Sequence, residues 1–190
     1  MTKKDTIHIT SVSEFLAHVE RVKKEEELAG NSADFIFRGQ PLDKPLLPKL
    51  ARIAPRGKFS NIERLILNEF ERTSVPVTEL RPETKWDLIA LAQHHGLPTR
   101  LLDWTYSALA GLWFALPEVK PTSITVSQEG VIWLLKTRVD DFIDESNRES
   151  PSTNGVTRIY RPKLITRRIA AQGGLFTIHK FMEGDTLVAL

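Results

Sequence analysis

Helix-start signals and short β-rich segments follow one another along the chain in an irregular order, and this order constrains the fold more than any other feature. The segment 11–14 (Ser-Val-Ser-Glu) has the spacing of a capping box, and apolar residues then recur at helical intervals. The segment 60–63 (Ser-Asn-Ile-Glu) repeats this pattern. Thr84 and Asp87 indicate the start of a third helix, which we expect to stop at Gly96.

Strand signals are shorter and are rich in β-branched and aromatic residues. They occur at 34–38, 99–103, 131–135, 175–179 and 185–190. A further helix is predicted from Ser107 to Leu116. Because helices and strands do not alternate regularly, we predict an α+β domain with one mixed central sheet flanked by helices.

The composition excludes several classes of protein. The chain has 190 residues and no cysteine, which excludes disulfides, thiolate catalysis and cysteine-based metal sites. No apolar run reaches the roughly 18–20 residues that cross a bilayer. The first residues lack the apolar region of a signal peptide. We therefore expect a soluble cytoplasmic protein with no membrane partner.

The net charge of +2 hides an uneven distribution along the chain. Residues 151–190 carry a net charge of +4, and residues 1–150 carry −2. Arg167 and Arg168 lie in the basic part and are candidates for binding phosphates of a nucleic acid or another polyanion. A solvated helix face is the alternative interpretation.

Arg38 and Gly39 stand where the first predicted strand ends. A guanidinium at a strand end can bind a phosphate or a carboxylate through two parallel hydrogen bonds. Glycine permits a positive-φ turn or the close approach of a ligand. The alternative is an arginine paired with a nearby acid at a tight turn.

Two adjacent histidines, His94 and His95, lie at the end of the third predicted helix. Their side chains point about 100° apart around a helix, so they do not share one metal ion easily. The spacing matches no zinc pattern, and we predict no metal site. We expect one of them to be structural, since a cation in the last turn complements the helix dipole.

Asp103 and Gln172 are the remaining polar candidates. Asp103 lies at the end of a predicted strand, where a carboxylate needs a partner such as Arg38 or Arg100. Gln172 precedes two glycines at the start of a strand. This places its amide beside flexible backbone, which suits close contact with a ligand. An ordinary glycine turn is the alternative there.

Three of these segments together resemble the FRG domain family, which is named for its Phe-Arg-Gly motif. They are 37–40 (Phe-Arg-Gly-Gln), 94–105 and 168–176. The resemblance spans about residues 11–190, with 1–10 as an N-terminal extension. It also implies that the domain is truncated at its C-terminus. Members of the family occur in bacteria and phages.

The order of the motifs is also similar to the ADP-ribosyltransferase fold, which has a split sheet. That resemblance implies NAD as the substrate, with Arg38 holding its phosphate or ribose and Thr105 or Ser107 on the nicotinamide side. Gln172 would lie near the catalytic carboxylate position, but it has no charge to stabilise an oxocarbenium-like transition state. Asp103 is the candidate that could supply the missing carboxylate. The other candidate cofactor-binding residues are Gly39, Gln40 and Arg100.

Three functions remain open from the sequence. The first is an ADP-ribosyltransferase-like enzyme that modifies a protein or nucleic acid in a toxin or antiphage role. Its candidate catalytic residues are Arg38, His94, His95, Asp103 and Gln172. The second is a non-catalytic module that binds a nucleotide or nucleic acid through its arginines. The third is a buried polar network that only stabilises the fold.

Overall fold

The described part of the chain is built around one five-stranded sheet. The computed structural model describes residues 6–31, 33–53, 56–74, 82–116, 129–143, 151, 155–162, 174–181, 187 and 189. The strands are β1 (Asp34–Gln40), β2 (Leu101–Thr105), β3 (Val131–Thr137), β4 (Arg158–Tyr160) and β5 (Gly174–Ile178). Their order in the sheet is β3-β1-β2-β5-β4, and every pair of neighbouring strands is antiparallel.

Five helices and a short 3₁₀ turn accompany the sheet in the described ranges. The helices are α1 (Val12–Leu28), α2 (Lys49–Arg52), α3 (Phe59–Ser74), α4 (Lys85–His94) and α5 (Ala108–Ala115), and the 3₁₀ turn is Val139–Asp141. None of the helices in these ranges is both long and apolar enough to cross a membrane.

The helix-start signals are confirmed at two of three positions. The Ser11 side chain accepts a hydrogen bond from the Glu14 backbone N–H. Thr84 and Asp87 form a complete capping box, and Gly96 follows the end of α4 with a φ of 78°. The prediction for Ser60 is wrong, because α3 already begins at Phe59.

The α+β fold class is confirmed, but the pairing within the sheet differs from the prediction. We expected a mixed sheet, whereas the paired strands are antiparallel and the only parallel element among the described residues is an isolated bridge between Phe142 and Ile159. The described strands also form one sheet rather than a split one. The predicted strand 185–190 lies mostly outside the described residues.

The sheet is weakly joined at its centre. All seven residues of β1 have partners on β3, and all five residues of β2 have partners on β5. Between β1 and β2, by contrast, the register consists of one pair, Phe37 with Thr105. The two strands therefore part beyond Phe37, and we call this place the β1–β2 opening.

Alternating side chains of β1 pack into different hydrophobic clusters. Phe35 and Phe37 pack with Phe15 and Val19 of α1, and all four are buried. Ile36 packs instead in a second cluster with buried residues of β2 and β5. This alternation is the period-2 pattern of a strand, and it fixes the face on which each side chain of β1 lies.

Two glycines of the chain allow α5 to lie directly against β1. A Cβ on Gly39 would overlap the Gly111 carbonyl oxygen and the Ala115 nitrogen. A Cβ on Gly111 would lie 2.8 Å from the Phe37 Cβ. Helix and strand backbones are thus in contact, so α5 supports the end of β1 where Arg38 lies.

Candidate functional site

Arg38 spans the β1–β2 opening. Its Nη1 donates to the main-chain carbonyl oxygen of Asp103 at 2.7 Å and lies 3.7 Å from the carboxylate Oδ2 of the same residue. The Arg38 side chain is 16% exposed, whereas that of Asp103 is 58% exposed. The structure therefore brings these two predicted site residues together at one point, with the cation below and the carboxylate at the surface.

The guanidinium of Arg38 keeps unused hydrogen-bonding capacity. Its Nε is buried and has no hydrogen-bond partner among the described residues. Burial lowers the pKa of Arg38, the Asp103 charge acts in the opposite direction, and the positive charge of Arg52 lowers it further. An anion that enters the opening would therefore compensate the positive charge of Arg38, which is only partly compensated by Asp103.

A chain of hydrogen bonds leads from Asp103 into the core. Gln93 on α4 donates from Nε2 to Asp103 Oδ2 at 3.0 Å. Thr99 donates from its hydroxyl to Gln93 Oε1 at 2.7 Å, and the Thr99 hydroxyl oxygen accepts from the Leu101 backbone N–H at 3.1 Å. Thr99 is fully buried. The chain links an exposed carboxylate to a rigid part of the fold.

Sequence reasoning did not assign a role to Gln93 or Thr99. A polar residue in the last turn of a helix and a threonine at a turn are common, and neither carries a motif. One signal was available: Gln93 and Asp103 flank a tight turn at Gly96, which returns the chain so that the two side chains can meet.

Thr105 and Ser107 have structural partners. The Thr105 hydroxyl oxygen accepts from the Ser107 backbone N–H at 3.0 Å. The Ser107 hydroxyl oxygen accepts from the Ala110 backbone N–H at 3.2 Å and caps α5. Both side chains therefore fix the turn from β2 into α5, and Thr105 is buried.

Arg100 lies in the core rather than at the opening. Its side chain is 0% exposed, and its Nε lies 3.0 Å from Glu63 Oε2 on α3. Its backbone N–H donates to the other oxygen of Glu63, and its guanidinium lies 4.3 Å from the centre of the Phe181 ring. This arrangement favours a structural role over the predicted contact with a cofactor.

The two histidines lie beside α3. The His95 ring is 5.7 Å from the Phe70 ring and 5.5 Å from the His94 ring, measured between centroids. The two imidazole rings meet edge to face, with an angle of 79° between their planes. The described ring contacts of the two histidines are with Phe70 and with each other.

Gly39 and Gln40 determine the path of the backbone on the C-terminal side of Arg38. The φ of Gly39 is not positive, and the residue makes room for α5, not for a sharp turn. Gln40 donates from Nε2 to the Lys44 carbonyl oxygen at 2.9 Å and fixes the loop after β1.

The remaining candidates are outside what the structure describes. Gln172, Arg167 and Arg168 lie in the range 163–173, which the structure does not describe. Within the described ranges, no group of three or more histidine, aspartate or glutamate side chains is arranged to hold a metal ion.

Comparison with known proteins identifies a domain family. Residues 33–123 match the family model of the FRG domain, a range that includes the segments 37–40 and 94–105 but not 168–176. No curated protein and no solved structure matches the chain significantly. The matched range contains β1, α4, β2 and α5, which together build the opening. Residues 33–123 therefore carry an FRG domain, and Arg38, Gln93 and Asp103 are all part of it.

Proposed function

We propose that this FRG domain binds NAD at the β1–β2 opening and transfers its ADP-ribose to a protein or nucleic acid. The observation that carries the proposal is the state of Arg38. A mostly buried guanidinium with an unpartnered Nε, next to an exposed carboxylate, is suited to an anionic ligand that also carries hydroxyl groups. A nucleotide diphosphate bearing ribose has both.

Arg38 would bind the diphosphate of NAD. The hydrogen bond from its Nη1 to the Asp103 carbonyl fixes the guanidinium, and the exposed part of the side chain remains to donate to a phosphate oxygen. The positive charge of Arg52 adds to the attraction for an anion.

Asp103 would act on the ribose that carries nicotinamide. The bond between the ribose C1 and the nicotinamide nitrogen breaks, and its electron pair leaves with nicotinamide. Positive charge then develops on the sugar, and a fixed carboxylate stabilises that charge. The nucleophile of the acceptor bonds to C1 and releases its proton to water.

The test is release of nicotinamide from NAD by the purified protein. We expect Arg38→Ala and Asp103→Asn to reduce the rate by at least about 100-fold, the effect typical of removing one electrostatic contact to a transition state. Arg72→Ala is the matched control, since Arg72 pairs with Glu69 on the exposed surface of α3. Absence of nicotinamide release with any protein or nucleic-acid acceptor would contradict the proposal.

A second candidate is a module that binds a nucleotide without catalysis. It is favoured by the contacts of Asp103, because its Oδ2 already lies near Arg38 and accepts a hydrogen bond from Gln93. In this case ADP-ribose should raise the melting temperature of the protein, as a ligand of the native state does, while NAD stays intact. The nicotinamide assay separates the two candidates. A role in a toxin or in defence against phages belongs to the first candidate.

A further inference from the structure

The two oxygens of the Asp103 carboxylate are not equivalent. Oδ2 accepts from Gln93 Nε2 at 3.0 Å and is the oxygen nearer to Arg38, at 3.7 Å. Among the described residues, none donates a hydrogen bond to Oδ1. The Asp103 side chain is 58% exposed, so the carboxylate is accessible from solvent.

The orientation of the Gln93 amide follows from Thr99. The Leu101 backbone N–H can only donate, so the Thr99 hydroxyl oxygen is its acceptor and the Thr99 hydrogen is left to donate. That hydrogen goes to Gln93, which makes the facing atom of the amide its oxygen. The Gln93 NH₂ group must then face Asp103.

We propose that Gln93, oriented by Thr99, is a positioning residue that holds Asp103 with Oδ1 turned towards the ribose hydroxyls of the bound nucleotide. The ligand side of this inference rests on the proposed function. The phosphate would be bound by Arg38 and the sugar hydroxyl by Asp103, so the two halves of the ligand are recognised by separate groups. Gln93 touches no ligand and acts through Asp103.

The orientation is tested first, without any ligand, by carbon NMR of the Asp103 side-chain carboxyl. Gln93→Leu and Thr99→Val should both move this signal. Gln93→Leu removes the N–H group that donates to Asp103, and Thr99→Val removes the hydroxyl that orients the Gln93 amide. Thr137→Val is the matched control: Thr137 is equally buried and donates to the Asp34 carbonyl, away from the opening. An Asp103 signal that stays unchanged in both site variants would overturn the inference.

The ligand side is tested by calorimetric titration with ADP-ribose. Gln93→Leu and Asp103→Asn should each weaken binding about tenfold, the loss expected for one hydrogen bond to a charged group. The double variant should bind no more weakly than Asp103→Asn, because Gln93 acts only through Asp103. Thr99→Val should give a smaller loss in the same direction, and Thr137→Val should bind as the wild type does.

The failures of the inference and of the proposed function can be told apart. If the wild type releases nicotinamide and Gln93→Leu binds ADP-ribose normally, the positioning role is overturned and the proposed function stands. Additive losses in the double variant would have the same meaning. If the wild type neither binds ADP-ribose nor releases nicotinamide, the proposed function is overturned, and the ligand assigned to Oδ1 falls with it.

Discussion

Arg38 is anchored on the backbone of Asp103 more closely than on its side chain. The bond from Nη1 to the Asp103 carbonyl oxygen is 2.7 Å, whereas the carboxylate lies 3.7 Å away. The position of the guanidinium therefore depends more on the path of β2 than on the charge of Asp103. This separates the binding of an anion from the chemistry of the carboxylate.

Asp103→Asn should consequently leave the affinity for ADP, which lacks the second ribose, within about threefold of the wild type. The main-chain oxygen that fixes Arg38 is still present in this variant. Nicotinamide release should fall as described above, because the charge that stabilises the sugar is lost. Calorimetry with ADP and the nicotinamide assay check the two halves. A parallel loss of both would show that the carboxylate also holds Arg38.

Arg38→Lys should weaken ADP binding by about tenfold to a hundredfold although it keeps the positive charge. A lysine has no planar fork and no Nε donor, so it cannot reproduce the hydrogen bonds of the guanidinium. Calorimetry with ADP measures the loss. Arg72→Lys on the surface of α3 is the control, and an unchanged affinity in Arg38→Lys would mean that only charge matters at the opening.

Arg100→Met should lower the free energy of unfolding by about 3–5 kcal/mol, since it leaves Glu63 buried without its partner. Urea denaturation measures this loss. The double variant Arg100→Met/Glu63→Leu also removes the buried carboxylate, and it should regain part of the stability. ADP affinity should be unchanged at temperatures where the variant is folded. A loss of affinity without a loss of stability would instead place Arg100 in contact with the ligand.

Gly39→Ala should destabilise the fold by about 1–3 kcal/mol, the usual effect of forcing extra atoms into a packed site. The added methyl group would overlap the backbone of α5. Gly155→Ala is the matched control, since a Cβ there meets no atom within 4 Å, and its effect should stay within about 0.5 kcal/mol. Chemical denaturation compares the two variants, and equal effects would contradict the close packing of α5 on β1.

Glu26→Gln should lower the melting temperature at pH 7 but not in acid. The hydrogen bond from Lys136 and then that from Asn31 lower the pKa of Glu26 from its ordinary value of 4.5. A carboxyl whose pKa is lowered by folding stabilises the protein above pH 4.5 and loses this effect as the pH falls through its folded pKa. In thermal melts between pH 7 and pH 3, the melting temperatures of the wild type and of Glu26→Gln should therefore converge as the pH falls.

The control for this pair is Glu27→Gln. Glu27 is exposed on the same helix and has no side-chain hydrogen bond or ion pair among the described residues. Its replacement should have little effect at any pH. If Glu26→Gln and Glu27→Gln behave alike, the contact between α1 and β3 does not contribute to stability.

The local elements were predictable because their causes are local. Capping residues at Ser11 and Thr84 and the glycine after α4 determine helix ends through contacts only a few residues long. The same holds for β1, where a β-rich segment alternates between two hydrophobic clusters. The short α2 and β4 have too few residues to show a period, and the sequence did not indicate them.

The site was predictable only in part, because its geometry depends on contacts that are distant in the chain. The strand-end position of Arg38 and the need of Asp103 for a cation both pointed to a pair, which the structure contains. The choice between Arg38 and Arg100 as that partner depended on which guanidinium reaches Asp103 in the fold. Glu63, distant in sequence, holds Arg100 in the core, and no spacing in the sequence indicates this.

The Phe-Arg-Gly motif has a separate physical reason for each residue. Phe37 fills the core beneath α1, Arg38 crosses to β2, and Gly39 leaves room for the backbone of α5. The three requirements arise from three different neighbours. A sequence motif of this kind therefore marks a junction of elements as much as a binding site.

The single register pair between Phe37 and Thr105 gives the sheet an internal edge. Beyond that pair, neither β1 nor β2 has a register partner on the side that faces the other strand. A ligand seated there would bridge two halves of the sheet that the chain itself joins only loosely. Amide hydrogens of β1 and β2 should then exchange with solvent more slowly when the nucleotide is bound. A bound ligand would thus make the whole sheet more rigid, and the exchange rates would measure how much of the site is occupied.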